Sequence, residues 1–270
     1  MAIPTLSLMD SVSERLRASG RVTRVFDAQD SGCVSYVWED GEGPWLVKHA
    51  VEERARAGLD RAVALHEDVA HEGLLAPVRR LVAPDGSLAL VYPWFAGENL
   101  YDYTRYDAHG RQHDPSSPHL RFRRMPRARV LDALGVIYDA HVALERAGWV
   151  AVDMYDGCVL YDFGRHILKL IDFDECRPGP FALDAERLPG SRRFMAPEEF
   201  VKGSRIDART NVFMLARFAQ VFLADGVFER AGWPMGEEAW EVIEVATRED
   251  ASVRFGSVAE FVGAWEGATS

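Results

Sequence analysis

The sequence predicts an α+β fold with two lobes, a small antiparallel β-rich lobe followed by a mainly helical one, and a cleft between them. Up to residue 95, short strand patterns bounded by Gly, Pro and Asp turns follow the order β-β-β-α-β. Beyond residue 127, most of the chain carries apolar residues at helical spacing. With 270 residues and 48% hydrophobic content, the chain has enough apolar side chains to fill two such lobes.

Local patterns place the elements of the first lobe. Residues 1–20 are a predicted N-terminal helical extension, in which Met9–Ala18 carries apolar residues at helical spacing. The lobe itself spans residues 21–95, where apolar runs lie between turn residues. In chain order we expect three strands, a helix and a fourth strand, at Arg21–Ala28, Val34–Glu39, Trp45–Ala50, Gly58–Ala70 and Ser87–Tyr92.

The second lobe spans residues 96–270 and begins with an irregular insertion. Between residues 101 and 126, Asp, Gly, His, Ser, Pro and Arg dominate, so we expect a long loop with room for a short helix. The apolar periodicity that follows predicts a strong helix at Arg127–Ala147. A short hairpin and three further helices are then expected at Val159–Tyr161, Ile167–Ile171, 208–224, 236–247 and 257–265.

Charge and cysteine content argue against several classes of function. A net charge of −11 disfavours binding to nucleic acid or to an anionic membrane, because both need a surplus of Lys and Arg. Three cysteines without metal-ligand spacing do not suit a disulfide framework, so we expect a cytoplasmic protein. No apolar run approaches the ~18–20 residues of a membrane span, and the first residues lack the pattern of a signal peptide.

Two aspartates frame the predicted hairpin of the second lobe. The apolar run Leu168–Ile171 ends at Asp172, and Asp153 precedes the hairpin. This arrangement suits phosphoryl transfer, in which one carboxylate orients the attacking hydroxyl and the other holds the magnesium that bridges the nucleotide phosphates. Further motifs follow in matching order, and over roughly residues 21–265 the chain resembles the protein kinase-like superfamily, in particular bacterial Ser/Thr protein kinases with a divergent active site.

The resemblance implies ATP binding by the first lobe. Leu46–Val47–Lys48 resembles the third-strand Val-x-Lys motif, whose ammonium holds the α- and β-phosphates. Val91–Glu98 resembles the hinge, whose backbone hydrogen-bonds adenine. A solvated strand lysine and a strand end with an aromatic cluster are the structural alternatives. The implied nucleotide-binding residues are Lys48, Ser31, Gly32, Val34, Tyr92, Pro93 and Phe95.

The segment Val150–Leu160 resembles the catalytic loop, with Asp153 in the place of the base. Val152 replaces the arginine that makes activity depend on a phosphorylated activation loop, so the resemblance implies no such switch. Tyr155 replaces a lysine common in Ser/Thr kinases. Cys158 occupies the position of an asparagine that binds a second magnesium, and a thiol is a poor ligand for that hard ion.

Three aspartates are the implied metal ligands for Mg²⁺ or Mn²⁺. Asp172 is expected to bind the bridging ion. Asp174 replaces the glycine of the Asp-Phe-Gly motif and is expected to support a second ion, for which Asp156 in the catalytic loop is the other candidate. Turn capping is the structural alternative for Asp174 and for Asp156.

Two motifs of the first lobe are incomplete. Of the glycine-rich loop, Ala28–Val34, only Gly32 remains, so fewer backbone N–H groups can approach phosphates. The helix expected to pair a glutamate with Lys48 has Ala62 in register instead. Both departures favour a catalytically weak protein.

The resemblance to kinase motifs is closer further along the chain. Gly190–Glu199 is similar to the Gly-Thr-x-x-Tyr-Met-Ala-Pro-Glu segment of Ser/Thr kinases, which small-molecule kinases generally lack. Ile206–Ala216 resembles the helix whose first aspartate, here Asp207, braces the catalytic loop. Arg254 matches the arginine that forms a buried pair with the segment's glutamate, here Glu198.

The sequence thus leads to three functional hypotheses. The first is an ATP-dependent kinase that transfers the γ-phosphoryl group to a Ser/Thr-type hydroxyl on a peptide or protein. The alternatives are a pseudokinase scaffold and a kinase for a small hydroxylated metabolite or antibiotic. Oligomeric state stays open. A basic cluster is either a solvated face or a site for an acidic or phosphorylated peptide, and it consists of Arg121, Arg123, Arg124, Arg127 and Arg129.

Overall fold

The computed structural model describes residues 2–8, 10–27, 31–224 and 229–270, and its fold is α+β with a mixed sheet. It divides into two compact units. The first combines Met1–Ala70, Leu74–Ala96 and Phe173–Glu175, and the second combines His71–Gly73, Gly97–Asp172 and Cys176–Ser270. The predicted boundary after residue 95 therefore lies next to the division after Ala96, and residues 1–20 belong to the first unit.

The first unit is built on a six-stranded sheet. In chain order its elements are β1 (Thr5–Ser7), α1 (Val12–Ser19), β2 (Arg21–Phe26), β3 (Cys33–Asp40), β4 (Gly43–Ala50), α2 (Glu53–Asp68), β5 (Arg79–Val82) and β6 (Leu88–Pro93). The strand order is β1-β5-β6-β4-β3-β2. All neighbours are antiparallel except β1 and β5, so the prediction of an antiparallel sheet is wrong at this edge.

The two strands of the parallel pair were missing from the sequence prediction. They have three and four residues, which is too short for an alternating pattern to stand out. The helical extension was predicted, and a capping box of Ser11 with Glu14 starts its helix α1. Leu16 of α1 packs with Trp38 in one core cluster of the sheet. Met9 and Ala28, which bound predicted elements, lie outside the described residues.

The second unit contains short strands and most of the helices. In chain order these are β7 (Glu98–Asn99), α3 (Ala108–His113), α4 (Pro118–Arg123), α5 (Arg127–Arg146), β8 (Trp149–Val150), β9 (Val159–Asp162), β10 (Ile167–Leu170), β11 (Arg177–Pro178), β12 (Phe181–Ala182), β13 (Arg205–Ile206), α6 (Ala208–Ala224), α7 (Glu237–Ala246) and α8 (Val258–Thr269). Strand β9 pairs with β10 and β7, β8 with β11, and β12 with β13, all antiparallel. The predicted hairpin and the four predicted long helices are confirmed.

The insertion at residues 101–126, expected to be a long loop, contains the two short helices α3 and α4. Asp107 caps the first and Ser117 caps the second. Phe122 of α4 is fully buried, and its ring lies 4.9 Å from that of Tyr161 and 4.7 Å from that of Phe222. The insertion is therefore packed into the core of the second unit. Within the described ranges, no helix combines the length and hydropathy of a transmembrane span.

Candidate active site

The predicted base, Asp153, lies in a loop that is held by side chains from two other elements. The side chain of Asn211 in α6 accepts a hydrogen bond from the Ala151 N–H (2.9 Å) and donates one to the Ala151 carbonyl (2.7 Å). Asn99 of β7 donates to the carbonyl of Gly157 (2.7 Å). Both ends of the loop around Asp153 are thereby fixed.

The brace from Asn211 corrects the assignment of that role to Asp207. Asp207 lies directly before α6, where its Oδ1 accepts from the N–H of Arg209 (2.9 Å) and its Oδ2 pairs with Arg205 (2.9 Å). Asp207 thus accepts a hydrogen bond from a backbone N–H in the first turn of the helix. The residue one turn later reaches the loop because i and i+4 share a helix face.

Asp153 and Asp172 both have left-handed backbone conformations. Their φ angles are +60° and +72°, and among the described non-glycine residues His166 alone shares this feature. Such φ values are uncommon outside glycine and are best tolerated by short polar side chains. Where they occur at polar residues, they concentrate at functional sites.

Cys158 lies close to both of these aspartates. Its buried thiol donates to the carbonyl of Asp153 (3.2 Å), and its own carbonyl accepts from the N–H of Ile171 (2.9 Å), the neighbour of Asp172. Burial, followed by the charges of Asp172 and Asp153, raises the pKa of Cys158. Asp153, the predicted base, and Asp172, a predicted metal ligand, thus both lie near the neutral thiol of Cys158, which is a poor metal ligand.

Tyr155 lies beside the same carboxylates. Burial raises the pKa of its hydroxyl most strongly, and Cys158, Asp153 and Asp172 raise it further. The hydroxyl therefore stays protonated at neutral pH.

Asp156, a predicted metal ligand, is fully buried among protein groups. The Arg193 guanidinium donates to its Oδ1 (2.6 Å), and His119 Nδ1 lies 3.5 Å from its Oδ2. Burial raises the pKa of Asp156, and Arg193 partly opposes this. Burial also lowers the pKa of His119 to about 3, so the imidazole is neutral. Arg193 thus occupies one oxygen of this predicted metal ligand, whereas Oδ2 is buried without a hydrogen-bond partner in the structure.

The segment Gly190–Glu199 passes beside the base. Gly190 has φ +139°, and a Cβ there would lie 3.6 Å from the Cα of Asp153. A small cavity between the segment and the loop is lined by Asp153, Ser191 and Glu199, among other residues. Residues of this segment therefore lie beside Asp153.

The predicted pair of Arg254 with Glu198 is confirmed. It is bidentate, with distances of 2.7 Å and 2.9 Å, and the arginine side chain is fully buried. Thr210 of α6 donates a further hydrogen bond to Glu198 (2.9 Å). These contacts anchor the end of the segment to the helical part of the unit.

Lys48 lies in β4 of the first unit, where its Nζ is 2.5 Å from Oδ2 of Asp174. The sequence assigned Asp174 to a metal or to a turn. In helix α2 the in-register Ala62 is buried, and the nearby Asp60 pairs with Arg80 (2.6 Å). A partner of Lys48 thus comes from the segment Phe173–Glu175.

The other predicted nucleotide-binding residues also lie in the first unit. Gly32 has φ +71°, and Ser31 accepts a hydrogen bond from the Cys33 N–H (3.4 Å). Val34 is in β3, where it pairs with His49, and Phe95 follows β6. Tyr92 and Pro93 are the last residues of β6 and pair with Leu46 and Trp45. Ala28–Asp30 of the predicted glycine-rich loop lie outside the described residues.

The predicted arginine cluster is partly engaged in the second unit. Arg121 makes two contacts of 2.8 Å with Glu98, and its guanidinium lies 4.0 Å from the ring centroid of Phe163. Arg129 lies 3.6 Å from Asp132. For these members the structure favours a local packing role.

Comparison with protein-family models finds no match for this chain, and comparison with curated proteins finds none either. Over the ranges that the structure describes, no group of three or more His, Cys, Asp and Glu side chains is arranged to hold a metal ion. Any role of the site is therefore inferred from its own geometry.

The sequence prediction missed Asn99, His119 and Arg193. The first two residues lie in no recognisable motif, whereas Arg193 lies in the Gly190–Glu199 motif.

Proposed function

We propose that this protein is an ATP-dependent phosphotransferase with a bilobal kinase-like fold, acting on a Ser/Thr-type hydroxyl of a peptide or protein. The observation that carries the proposal is the grouping of Asp153 and Asp172. Both have a left-handed backbone conformation, and both raise the pKa of the Cys158 thiol. Asp153 would accept or orient the proton of the hydroxyl, and Lys48 would hold the α- and β-phosphates.

Asp172 is the proposed ligand for Mg²⁺ or Mn²⁺. Its side chain is exposed, and carboxylate oxygens are the donors that these ions prefer. A metal bound there would offset the charge of the phosphates. The fixed loop and the protonated hydroxyl of Tyr155 are what the chain itself provides around the base.

The segment beside the base supports a peptide or protein substrate. Gly190 contacts the loop at Asp153, and the pair of Glu198 with Arg254 anchors the other end of the segment. A rigid strip of backbone next to a base suits an extended peptide. Val152 stands in place of the arginine that makes kinase activity depend on a phosphorylated activation loop, so we expect activity without such phosphorylation.

The three buried thiols suit the reducing cytosol, which we propose as the location of the protein.

A nucleotide-binding pseudokinase is the second candidate. The observation that favours it is Cys158, a buried neutral thiol at the position where a second metal ligand is expected. Such a protein would bind ATP without transferring phosphate.

Incubation with γ-labelled ATP, Mg²⁺ or Mn²⁺ and generic protein acceptors tests both candidates. The wild type should label itself or an acceptor, and Asp153→Asn should abolish transfer while keeping nucleotide affinity. Asp139→Asn, an exposed change in α5, is the matched control and should behave as wild type. Transfer by Asp153→Asn at the wild-type rate would refute the base assignment.

Thermal stability with ATP separates the remaining outcomes. A ligand at about 100 times its dissociation constant adds about 2.7 kcal/mol to the stability of the folded state. Stabilisation by ATP without transfer favours the pseudokinase. Neither stabilisation nor transfer contradicts both candidates.

A further inference from the structure

A carboxylate that pairs with Lys48 comes from outside helix α2. The Lys48 ammonium is 2.5 Å from Oδ2 of Asp174, and each side chain is 11% exposed. Exposed ion pairs contribute little, but a pair shielded from water in this way fixes both partners, because a charge left alone there would be poorly solvated.

Helix α2 is shaped to admit Asp174. A Cβ on Gly58 would lie 3.2 Å from the Cβ of Asp174, so a larger residue there would press on the aspartate. Ala62, one turn later, is 1% exposed and carries no group that could compete for Lys48. The absence of a side chain at Gly58 therefore leaves space for the acidic side chain beside the helix.

The helix also holds the backbone on which Asp174 sits. Arg61 Nε donates to the carbonyl of Asp174 (2.9 Å), and its Nη2 contacts Glu175 (3.3 Å). Phe173 is buried, and its ring meets the edge of His66 with centroids 5.3 Å apart. The residues on both sides of Asp174 are thus tied to α2, which fixes the carboxylate relative to β4.

We propose that Asp174 is the positioning residue for Lys48, and that its carboxylate sets the place of the ammonium. The inference rests on the proposed function for the identity of what Lys48 holds, namely the nucleotide phosphates. It replaces the expectation that Asp174 supports a second metal ion. The same tripeptide, Asp172–Phe173–Asp174, then carries the metal ligand and the partner of the phosphate-binding lysine.

Selective acylation tests the pairing without reference to activity. The chain has three lysines, Lys48, Lys169 and Lys202, so the last two serve as internal references in peptide mass spectrometry. Acylating reagents attack only the neutral, accessible amine. Asp174→Asn should raise the acylation rate of Lys48 several-fold relative to both references, whereas the exposed change Glu53→Gln in α2 should not. Unchanged acylation of Lys48 in Asp174→Asn overturns the proposal.

A double-mutant comparison covers the case in which Asp174→Asn is poorly folded. Urea midpoints are compared for Asp174→Asn, Lys48→Met and the double variant, since coupled residues are not additive. The double variant should lose less stability than the sum of the two single losses. Additive losses overturn the pairing.

Steady-state kinetics separates positioning from metal binding. If Asp174 positions Lys48, Asp174→Asn should raise KM for ATP by the same factor at low and at high Mg²⁺, and should add nothing to Lys48→Met. Glu53→Gln, an exposed change in α2, should leave KM unchanged. Recovery of Asp174→Asn at high Mg²⁺ identifies a metal ligand and overturns the proposal. If the wild type has no activity, the proposed function fails, while acylation still decides the role of Asp174.

Discussion

Arg193 and Asp156 form an ion pair between the segment Gly190–Glu199 and the loop Val150–Leu160. The guanidinium is 2.6 Å from a carboxylate that is fully buried. The Arg193 guanidinium also lies 5.0 Å from the ring centroid of Tyr101, and that ring is covered at 4.0 Å by Arg111 of the insertion. The pair therefore joins the loop, the segment and the insertion, and it holds the segment beside Asp153 without a phosphate group.

Breaking this pair should destabilise the second unit. Arg193→Met leaves the Asp156 carboxylate buried without its cation, and losses of this kind are about 3–5 kcal/mol. The neighbouring Arg192→Met is the control, since Arg192 contacts only the face of Phe200, at 5.8 Å, among the contacts described for it. Urea unfolding followed by tryptophan fluorescence measures both. Equal midpoints for the two variants would show that the pair is not stabilising.

Glu199 predicts a pH dependence of stability. Burial raises the pKa of Glu199 from 4.5 to about 8. In the folded state this carboxyl group keeps a proton that the unfolded chain loses near pH 4.5. Its full contribution to the free energy of unfolding is therefore present below that pH. Stability should therefore fall as the pH rises towards 8, by roughly 1.4 kcal/mol per unit.

Substitution of this residue should remove the slope. Glu199→Gln retains an oxygen that can accept from the N–H of Ala196 but has no proton to lose. Between pH 4.5 and about pH 8, the free energy of unfolding of this variant should vary less with pH than that of the wild type. The exposed Glu244→Gln should keep the wild-type slope. A Glu199→Gln profile parallel to the wild type contradicts the assignment.

The cysteines should be unreactive in the folded protein. Cys33, Cys158 and Cys176 are all buried, and burial raises the pKa of Cys158, so little thiolate is accessible at neutral pH. Titration with a chromogenic disulfide should show no fast phase before unfolding and three equivalents in denaturant. A thiol that reacts rapidly in the folded state would contradict this expectation.

Long periodic elements and local motifs were predictable from the sequence. Helix α5 has 20 residues, so its periodicity is unambiguous. The pair of Glu198 with Arg254 was implied by the resemblance of two motifs to those of Ser/Thr kinases. In contrast, α3 and α4 have six residues each, which is shorter than the window in which helical spacing can be recognised.

The roles of the acidic residues were harder to predict, because they depend on partners distant in the chain. Asp174 and Asp156 were assigned to metal ions from their positions near Asp172 and Asp153. Their partners are Lys48 and Arg193, which the fold supplies from other segments. No local pattern specifies which cation reaches a buried carboxylate.

Asn211 and Asp207 are the two candidates for the residue that braces the loop around Asp153, the first from the structure and the second from the sequence. Asn211→Leu removes both hydrogen bonds to the backbone of Ala151 and leaves buried polar groups unsatisfied, at a cost of about 1–3 kcal/mol each. Because Asp153 is two residues further on, phosphoryl transfer should fall more than nucleotide affinity. Asp207→Asn, at the residue that the sequence pattern favoured, should keep nearly wild-type transfer, because its contacts are with Arg205 and Arg209 around the start of α6. Loss of transfer in Asp207→Asn with full transfer in Asn211→Leu would restore the sequence-based assignment.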